Sequence, residues 1–146
     1  MNYESMSDFE INKAVSMVVD FGDLVCFVND EREVVYICEV DGAYSMNPVG
    51  DFNPCNNPAD AWPIIIDNKI SIEYDQSEDS WIAHQGDYLI GKYVSICGYR
   101  YQYSDKNPLR AAMIVFLMMN ENTKSNEGDE EWALKTQRLE IVTTHA

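Results

Sequence analysis

The chain has 146 residues, of which 25 are acidic and 10 are basic, and its formal net charge is −15. This length suits one ordinary domain, which buries about two thirds of its unfolded surface without metals or disulfides. A negative field of this size repels nucleic-acid phosphates and anionic membrane surfaces. We therefore expect neither direct nucleic-acid binding nor membrane binding.

Cysteine spacing and the first ten residues both favour a cytosolic protein. The four cysteines lie 12, 17 and 42 residues apart without any C-x-x-C pair, and we expect them to be reduced thiols. They are Cys26, Cys38, Cys55 and Cys97. The start of the chain carries Glu4, Asp8 and Glu10 and no basic region, unlike a secretory signal peptide.

A first helix is predicted from Ser7, because Ser7 and Glu10 have the spacing of a capping box. Apolar residues then recur at the spacing of one helix face. They are Ile11, Ala14, Val15, Val18 and Val19. We expect Gly22 to end this helix, and its apolar stripe to pack on a sheet or on the central helix described below.

A β-hairpin and a long loop are predicted next. The runs LVCFV (24–28) and VVYICEV (34–40) are rich in β-branched and aromatic residues and flank a polar turn. Glycines and prolines then recur among asparagines and aspartates from residue 41 to residue 57, which favours turns over strand pairing. This segment is predicted to be a long ordered loop.

A second, short helix is predicted from the pair Asn57-Pro58, because Asn57 can cap and proline suits the first helical position. Asp60 then lies in the first turn, where a carboxylate suits the helix dipole. Pro63 is expected to kink and shorten the helix. Asn68 is expected to terminate it in the left-handed conformation.

Three further strands are predicted. KISIEY (69–74) and SWIAH (80–84) flank an acidic turn and form a second hairpin, and YVSICGYRYQY (93–103) is the longest strand. In that strand Val94 and Ile96 lie on one face, whereas the tyrosines lie on the other. A bulge at Gly98 would restore a single apolar face.

The most buried element is predicted between Asp105 and Met119. Asn107 can cap this helix, Pro108 fits its first position, and nine of the last ten residues are apolar. A helix from Pro108 to Met119 is roughly 18 Å long, too short for the ~20 apolar residues of a membrane span. We expect a central core helix that the other elements cover on more than one side.

The chain after Met119 is predicted to be less ordered. Residues 120–131 are polar and acidic and should form a flexible loop, and WALKTQRLEIV (132–142) could dock as a last helix or strand. The predicted fold is α+β, with a small antiparallel sheet packed with two to three helices. Residues 1–120 form the predicted domain, and residues 121–146 form an acidic C-terminal extension.

Several blocks of sequence resemble the NinX-like family of lambdoid phage proteins. They are SDFEINKAV near the start, NNPADAWPIIIDNKISI in the middle, the strand containing Trp81 and Ala83, and NPLRAAMIVFLMM. More distantly, residues 7–119 are similar to phage α/β/α-sandwich domains. The resemblance implies a phage accessory protein in the cytoplasm of the infected bacterium, and it supplies no catalytic residues.

The basic residues Arg100, Lys106 and Arg110 are a candidate anion site. They are three of only ten basic residues, and two of them flank the start of the central helix, where free N–H groups bind anions. With Tyr101, they could line a cleft that sequesters a small anion such as a nucleotide signal. The alternative is that these cations pair with the surplus carboxylates.

Two aromatic features have competing structural interpretations. A ligand rim could be formed by Asn57, Pro58, Asp60 and Trp62, but a capped helix start anchored by the tryptophan explains all four. The alternating tyrosines Tyr99, Tyr101 and Tyr103 could stack on a nucleobase or a partner, but packing of a half-buried sheet is the preferred interpretation.

Catalytic constellations are scarce, so we expect a non-enzyme without a metal or cofactor. His84 and His145 are the only histidines, and no serine or cysteine stands in a nucleophile frame. A zinc site from His84, Cys55 and Cys97 would lack the short ligand pairs of structural sites. The preferred hypothesis is therefore binding of a basic host protein by the acidic surface, including Glu127, Asp129, Glu130 and Glu131, as counter-defence or nucleic-acid mimicry.

Overall fold

The computed structural model describes residues 1–42, 45–89 and 97–128. A short 3-10 helix (Tyr3–Ser5) precedes the longer elements. In chain order these are α1 (Asp8–Ser16), β1 (Val25–Asn29), β2 (Val34–Val40), β3 (Met46–Asp51), α2 (Pro58–Asp67), β4 (Ser71–Asp75), β5 (Ser80–Leu89), β6 (Cys97–Asp105) and α3 (Pro108–Gly128).

The strands form two antiparallel sheets of three strands each. The first sheet has the order β1-β2-β3 and the second has the order β4-β5-β6. These two sheets and the three α-helices confirm the predicted α+β class. The strands form two small sheets, where the sequence predicted one. Helix α3 contacts the second sheet, α1 and α2, whereas the first sheet contacts α1 through β2.

The central-helix prediction is confirmed. Every residue from Ala111 to Leu117 is buried, and Ile114 has no exposed surface. Asn107 caps this helix, because its Oδ1 accepts from the backbone N–H of Leu109 at 2.9 Å and of Arg110 at 3.3 Å. Its Nδ2 also donates to the carbonyl of Cys55 at 2.7 Å, which ties the helix start to the loop before α2.

The predicted loop after Met119 is wrong over residues 120–128, because α3 continues to Gly128. Once a helix is nucleated, each added residue gains one backbone hydrogen bond, so polar residues extend it readily. Asn120 Nδ2 also donates to the carbonyl of Phe116 at 2.8 Å. Residues 129–142 of the predicted loop and last element lie outside the described part, and the domain boundary at residue 120 stays a prediction.

Helix α1 begins as predicted and ends early. Ser7 and Glu10 form the capping box, but the helix ends at Ser16 instead of continuing toward Gly22. The Ser16 hydroxyl donates to the carbonyl of Lys13 at 2.7 Å, a local bond that competes with helix propagation. Val18 and Val19 still pack against the core, as the apolar spacing predicted.

The predicted loop from residue 41 to residue 57 is wrong in part, because it contains β3. This strand pairs with β2, and the register shifts between Ile37 and Cys38. As an edge strand of the first sheet, β3 tolerates Pro48, which lacks a backbone N–H for a ladder. Every residue of β3 is exposed, so no alternating apolar pattern marked it in the sequence.

Helix α2 begins and ends where predicted, with two corrections. Asn57 Oδ1 accepts from the N–H of Ala59 at 3.1 Å, which confirms the cap. The helix continues through Pro63 to Asp67, although proline leaves one carbonyl in the preceding turn without a helical donor. Asn68 has a φ of −99°, and the left-handed residue is instead Lys69, with a φ of 57°.

The second sheet confirms the second predicted hairpin and contradicts the predicted bulge. Strands β4 and β5 pair as expected. Strand β6 keeps one register with β5 from Cys97 to Asp105, so Gly98 marks no bulge. The start of the predicted strand, residues 93–96, lies outside the described residues.

Candidate binding surfaces

Arg110 lies at the start of α3, and its guanidinium is occupied. One nitrogen lies 2.9 Å from Asp8 Oδ1, and Nε lies 3.3 Å from Asp105 Oδ1. The remaining nitrogen donates to the carbonyls of Tyr3 at 3.0 Å and Met6 at 2.6 Å. Only 11% of the side chain is exposed. Arg110 therefore joins the N-terminal segment, the end of β6 and α3, as the carboxylate-pairing interpretation predicted.

The other two predicted cations contact different groups. Lys106 Nζ donates to the carbonyls of Asp79 at 2.6 Å and Glu78 at 3.3 Å. The exposed Arg100 places its guanidinium carbon 5.7 Å from the centre of the Tyr101 ring. Among these contacts Arg100, Lys106 and Arg110 share no partner. The three cations thus have separate contacts, and a shared anion site stays a prediction.

The alternating tyrosines of β6 are explained by packing. Tyr101 and Tyr103 pack against the main core. Tyr99 stacks on the ring of His84 with a centroid distance of 3.7 Å, and His84 Nε2 lies 3.2 Å from a carboxylate oxygen of Glu73. The packing interpretation is confirmed for Tyr101 and Tyr103, and Tyr99 covers the one described histidine.

Asp60 and Trp62 have separate environments. Asp60 Oδ2 accepts from the backbone N–H of Asn53 at 2.9 Å and from Asn57 Nδ2 at 3.3 Å, so this carboxylate holds the loop before α2. The prediction that Trp62 anchors the helix is wrong, since 60% of it is exposed. Its neighbour Ala61 faces the core instead and has no exposed surface.

The outer face of the first sheet is an apolar surface that the sequence interpretation missed. Val25 and Phe27 lie on this face opposite Cys38 and Tyr36, respectively, and Val40 lies opposite Met46. Phe27 is 45% exposed and Met46 is 49% exposed. We call the surface formed by Val25, Phe27, Tyr36, Val40 and Met46 the sheet face.

The segment that forms the sheet face is also strongly acidic. Residues 20–51 contain eight acidic residues against one basic residue, for a net charge of −7 out of the −15 of the whole chain. The acidic residues are Asp20, Asp23, Asp30, Glu31, Glu33, Glu39, Asp41 and Asp51. Glu39 lies in β2 and Asp51 is the last residue of β3, whereas the other six lie before β1, between β1 and β2, or just after β2. Net negative charge is thus concentrated in the same segment of the chain as the sheet face.

A sequence signal for the sheet face exists in β1 and β2. The runs LVCFV and VVYICEV are mostly apolar at successive positions. A strand with one solvent-exposed face instead alternates apolar and polar residues. One face packs inward through Val35, which is 2% exposed. The other face carries Cys38, which is also 2% exposed although it lies outside the main core cluster. Both faces of β2 are therefore apolar.

Cys26, Cys38 and Cys55 are free thiols. Cys26 is half-buried, and Cys38 and Cys55 are buried. Burial, assisted by the charge of Asp8, raises the pKa of Cys55 to about 12. Burial also raises the pKa of Cys26. A raised pKa lowers the thiolate fraction at neutral pH, so these thiols are poor nucleophiles.

Within residues 1–42, 45–89 and 97–128, no three His, Cys, Asp or Glu side chains converge as a metal site requires. In the same part of the chain, no helix combines the length and the apolar character of a membrane span.

Comparison with known proteins identifies the family. A family model described as Bacteriophage P22, NinX matches residues 2–120, which is most of the 146-residue chain. No curated protein and no solved structure matches the chain. The match confirms the resemblance to the NinX-like family that the blocks of sequence indicated. The chain belongs to the bacteriophage P22 NinX family.

Proposed function

We propose that this phage protein acts without catalysis, by binding a basic protein of the infected cell through the sheet face. The observation that carries the proposal is the coincidence of an exposed apolar sheet surface with −7 of the net charge in residues 20–51. Exposed apolar surface rimmed by polar residues is typical of protein interaction sites.

The two components of this surface would contribute differently to binding. Aromatic and aliphatic side chains such as Phe27 and Met46 supply affinity when a partner removes them from water. The surrounding carboxylates attract a positively charged partner over long range and disfavour acidic ones. The favoured partner therefore has an apolar patch surrounded by lysine and arginine.

Nucleic-acid-binding proteins are one class with this chemistry, because their binding surfaces are basic. On this proposal the acidic border of the sheet face takes the place of phosphates, and the protein competes with nucleic acid for its partner. Competition is testable, since adding duplex DNA to the complex should release the phage protein from a partner of this class.

Sequestration of a small anion near Arg110 has less support. The guanidinium already contacts two carboxylates and two carbonyls, and an anion would have to displace them. The three cations Arg100, Lys106 and Arg110 also engage different groups. Binding of a basic protein by the sheet face is therefore the better supported proposal.

The test uses two variants with the same change in charge. The partner is first captured from infected-cell lysate, identified by mass spectrometry and purified. Its affinity is then measured for a sheet variant with four neutral isosteres: Glu31→Gln, Glu33→Gln, Glu39→Gln and Asp51→Asn. The control variant neutralises four acids of the C-terminal segment: Glu127→Gln, Asp129→Asn, Glu130→Gln and Glu131→Gln.

We expect the sheet variant to bind at least about tenfold more weakly, since rim charges change association strongly when they face the partner. The C-terminal variant should change the dissociation constant by less than about threefold at 0.1 M salt, where the Debye length is about 10 Å. Equal losses in both variants would show that only the total charge matters. A larger loss in the C-terminal variant would contradict the proposed location.

A further inference from the structure

A second exposed apolar surface lies between α2 and β4. It is a groove of about 420 Å³, which we call the Trp62 groove. Its residues are Trp62, Ile65, Ile66, Lys69, Ile70 and Ile72, with Ser71 between the last two. Ile65 and Ile70 are nearly buried and form its base, whereas Trp62 is 60% exposed and Ile66 is 46% exposed.

The groove runs beside the open edge of the second sheet. Among the described residues β4 pairs only with β5, so it is an edge strand. An edge strand presents backbone N–H and C=O groups that a further strand can pair with. Exposed large apolar side chains beside such an edge match the recognition mode in which a peptide adds a strand and inserts side chains into an adjoining pocket.

Charge selects the class of segment that fits. Residues 67–79 carry five acidic residues against Lys69, for a net charge of −4. A second copy of this chain would bring acidic β4 edges together, and like charges facing each other across paired strands are destabilising. An extended segment that alternates apolar residues with lysine or arginine meets both features of the site.

We infer that the Trp62 groove binds an extended basic segment of a partner protein, which adds as a strand to β4 and places an apolar side chain against Trp62 and Ile66. This site lies on α2 and the second sheet, and the sheet face lies on the first sheet. The inference therefore does not rest on the function proposed above.

The probe is a synthetic peptide with the sequence acetyl-KVKVLVKVK-amide, titrated into the full-length protein by calorimetry. Two peptides serve as controls. In one, each lysine is replaced by glutamate. In the other, alternate backbone nitrogens are methylated, which preserves the charge and removes donors for strand pairing.

The basic peptide should bind, and the two controls should bind at least about tenfold more weakly, because one carries negative charge in place of positive charge and the other lacks the backbone donors. Trp62→Ala should weaken binding of the basic peptide by at least about tenfold, as loss of an interface anchor does. Met17→Ala, at the exposed end of α1 and outside both surfaces, should leave its binding unchanged.

Three results would overturn the inference: no measurable binding of the basic peptide, equal binding of the methylated peptide, or equal binding by Trp62→Ala. Because Trp62 is mostly exposed, its replacement should leave the melting temperature nearly unchanged, and a melting curve checks that the variant is folded. A concentration-dependent dimer that Trp62→Ala abolishes would also overturn it, in favour of a second copy as the occupant.

Discussion

At the scale of single residues, Arg110 shows how a charged side chain near a helix start can be structural. Its guanidinium connects the carboxylates of Asp8 and Asp105 with the carbonyls of Tyr3 and Met6. Arginine suits this role because its planar group presents five donors in fixed directions. The residue thereby joins parts of the chain separated by about a hundred positions.

Replacing Arg110 by alanine should lower the free energy of unfolding by about 3 kcal/mol, because it leaves partly buried carboxylate and carbonyl acceptors without their donors. Arg100→Ala is the matched control, since Arg100 is exposed and a cation–π contact there is worth about 1 kcal/mol at most. Urea unfolding measures both. Equal losses would contradict the structural role assigned to Arg110.

At the scale of elements, the two Asn-Pro helix starts differ in how much each asparagine contacts. Asn107 accepts from two backbone N–H groups and donates to the carbonyl of Cys55, whereas the Asn57 side chain caps through Ala59. Asn57→Ala should lower the free energy of unfolding by about 1 kcal/mol, the usual value for loss of a helix cap. Asn107→Ala should cost about twice as much in denaturant unfolding, and the reverse order would contradict this comparison.

The burial of α3 gives a sharper test. Ile114→Asp should abolish cooperative unfolding, because an unpaired carboxylate in a fully buried position costs more than the ~5–15 kcal/mol that stabilises a domain. Ile114→Val, at the same position, should cost only about 1 kcal/mol. A thermal melt of the aspartate variant that matches the wild type would refute the central-helix assignment.

The sequence predicted those elements whose signals are local. The Ser7/Glu10 capping box and the two Asn-Pro pairs specify helix starts through bonds within one turn, and all three helices begin where predicted. Helix ends depended on weaker effects, such as the Ser16 hydroxyl in α1 and the polar continuation of α3 to Gly128.

Features that depend on distant partners were not predictable in the same way. Strand β3 exists because β2 offers an edge, although its own sequence contains Pro48 and Gly50. The occupied state of Arg110 depends on Asp8, which is far away in sequence. The exposure of Phe27 and Trp62 required knowing which face of each element meets α3 and its neighbours.

At the scale of the whole molecule, Tyr3 links the N-terminal segment to α3 and makes stability sensitive to alkaline pH. Its hydroxyl donates to the carboxylate of Glu121. Burial, and then the hydrogen bond and charge of Glu121, raise the pKa of Tyr3 above its ordinary value of 10.0. A group whose pKa is raised on folding stabilises the fold below its unfolded pKa and loses that contribution as pH rises.

The free energy of unfolding should therefore decrease above about pH 10, the pKa of an unperturbed tyrosine. Tyr3→Phe should be less stable than the wild type at pH 8, through loss of one hydrogen bond, and should lose less stability between pH 8 and pH 10.5. Urea titrations at the two pH values measure this. An equal decrease in both proteins would exclude Tyr3 as a source of the pH dependence.

On the proposed function, a basic host protein binds the outer face of the first sheet. Amide hydrogen exchange, measured by mass spectrometry on the free protein and on its complex with the captured partner, locates the interface directly. We predict that the backbone amides of β1, β2 and β3, which lie between Val25 and Asp51, become protected from exchange in the complex. Amides at the start of α3 should change little. Protection at Asn107–Arg110 with none in the first sheet would contradict it.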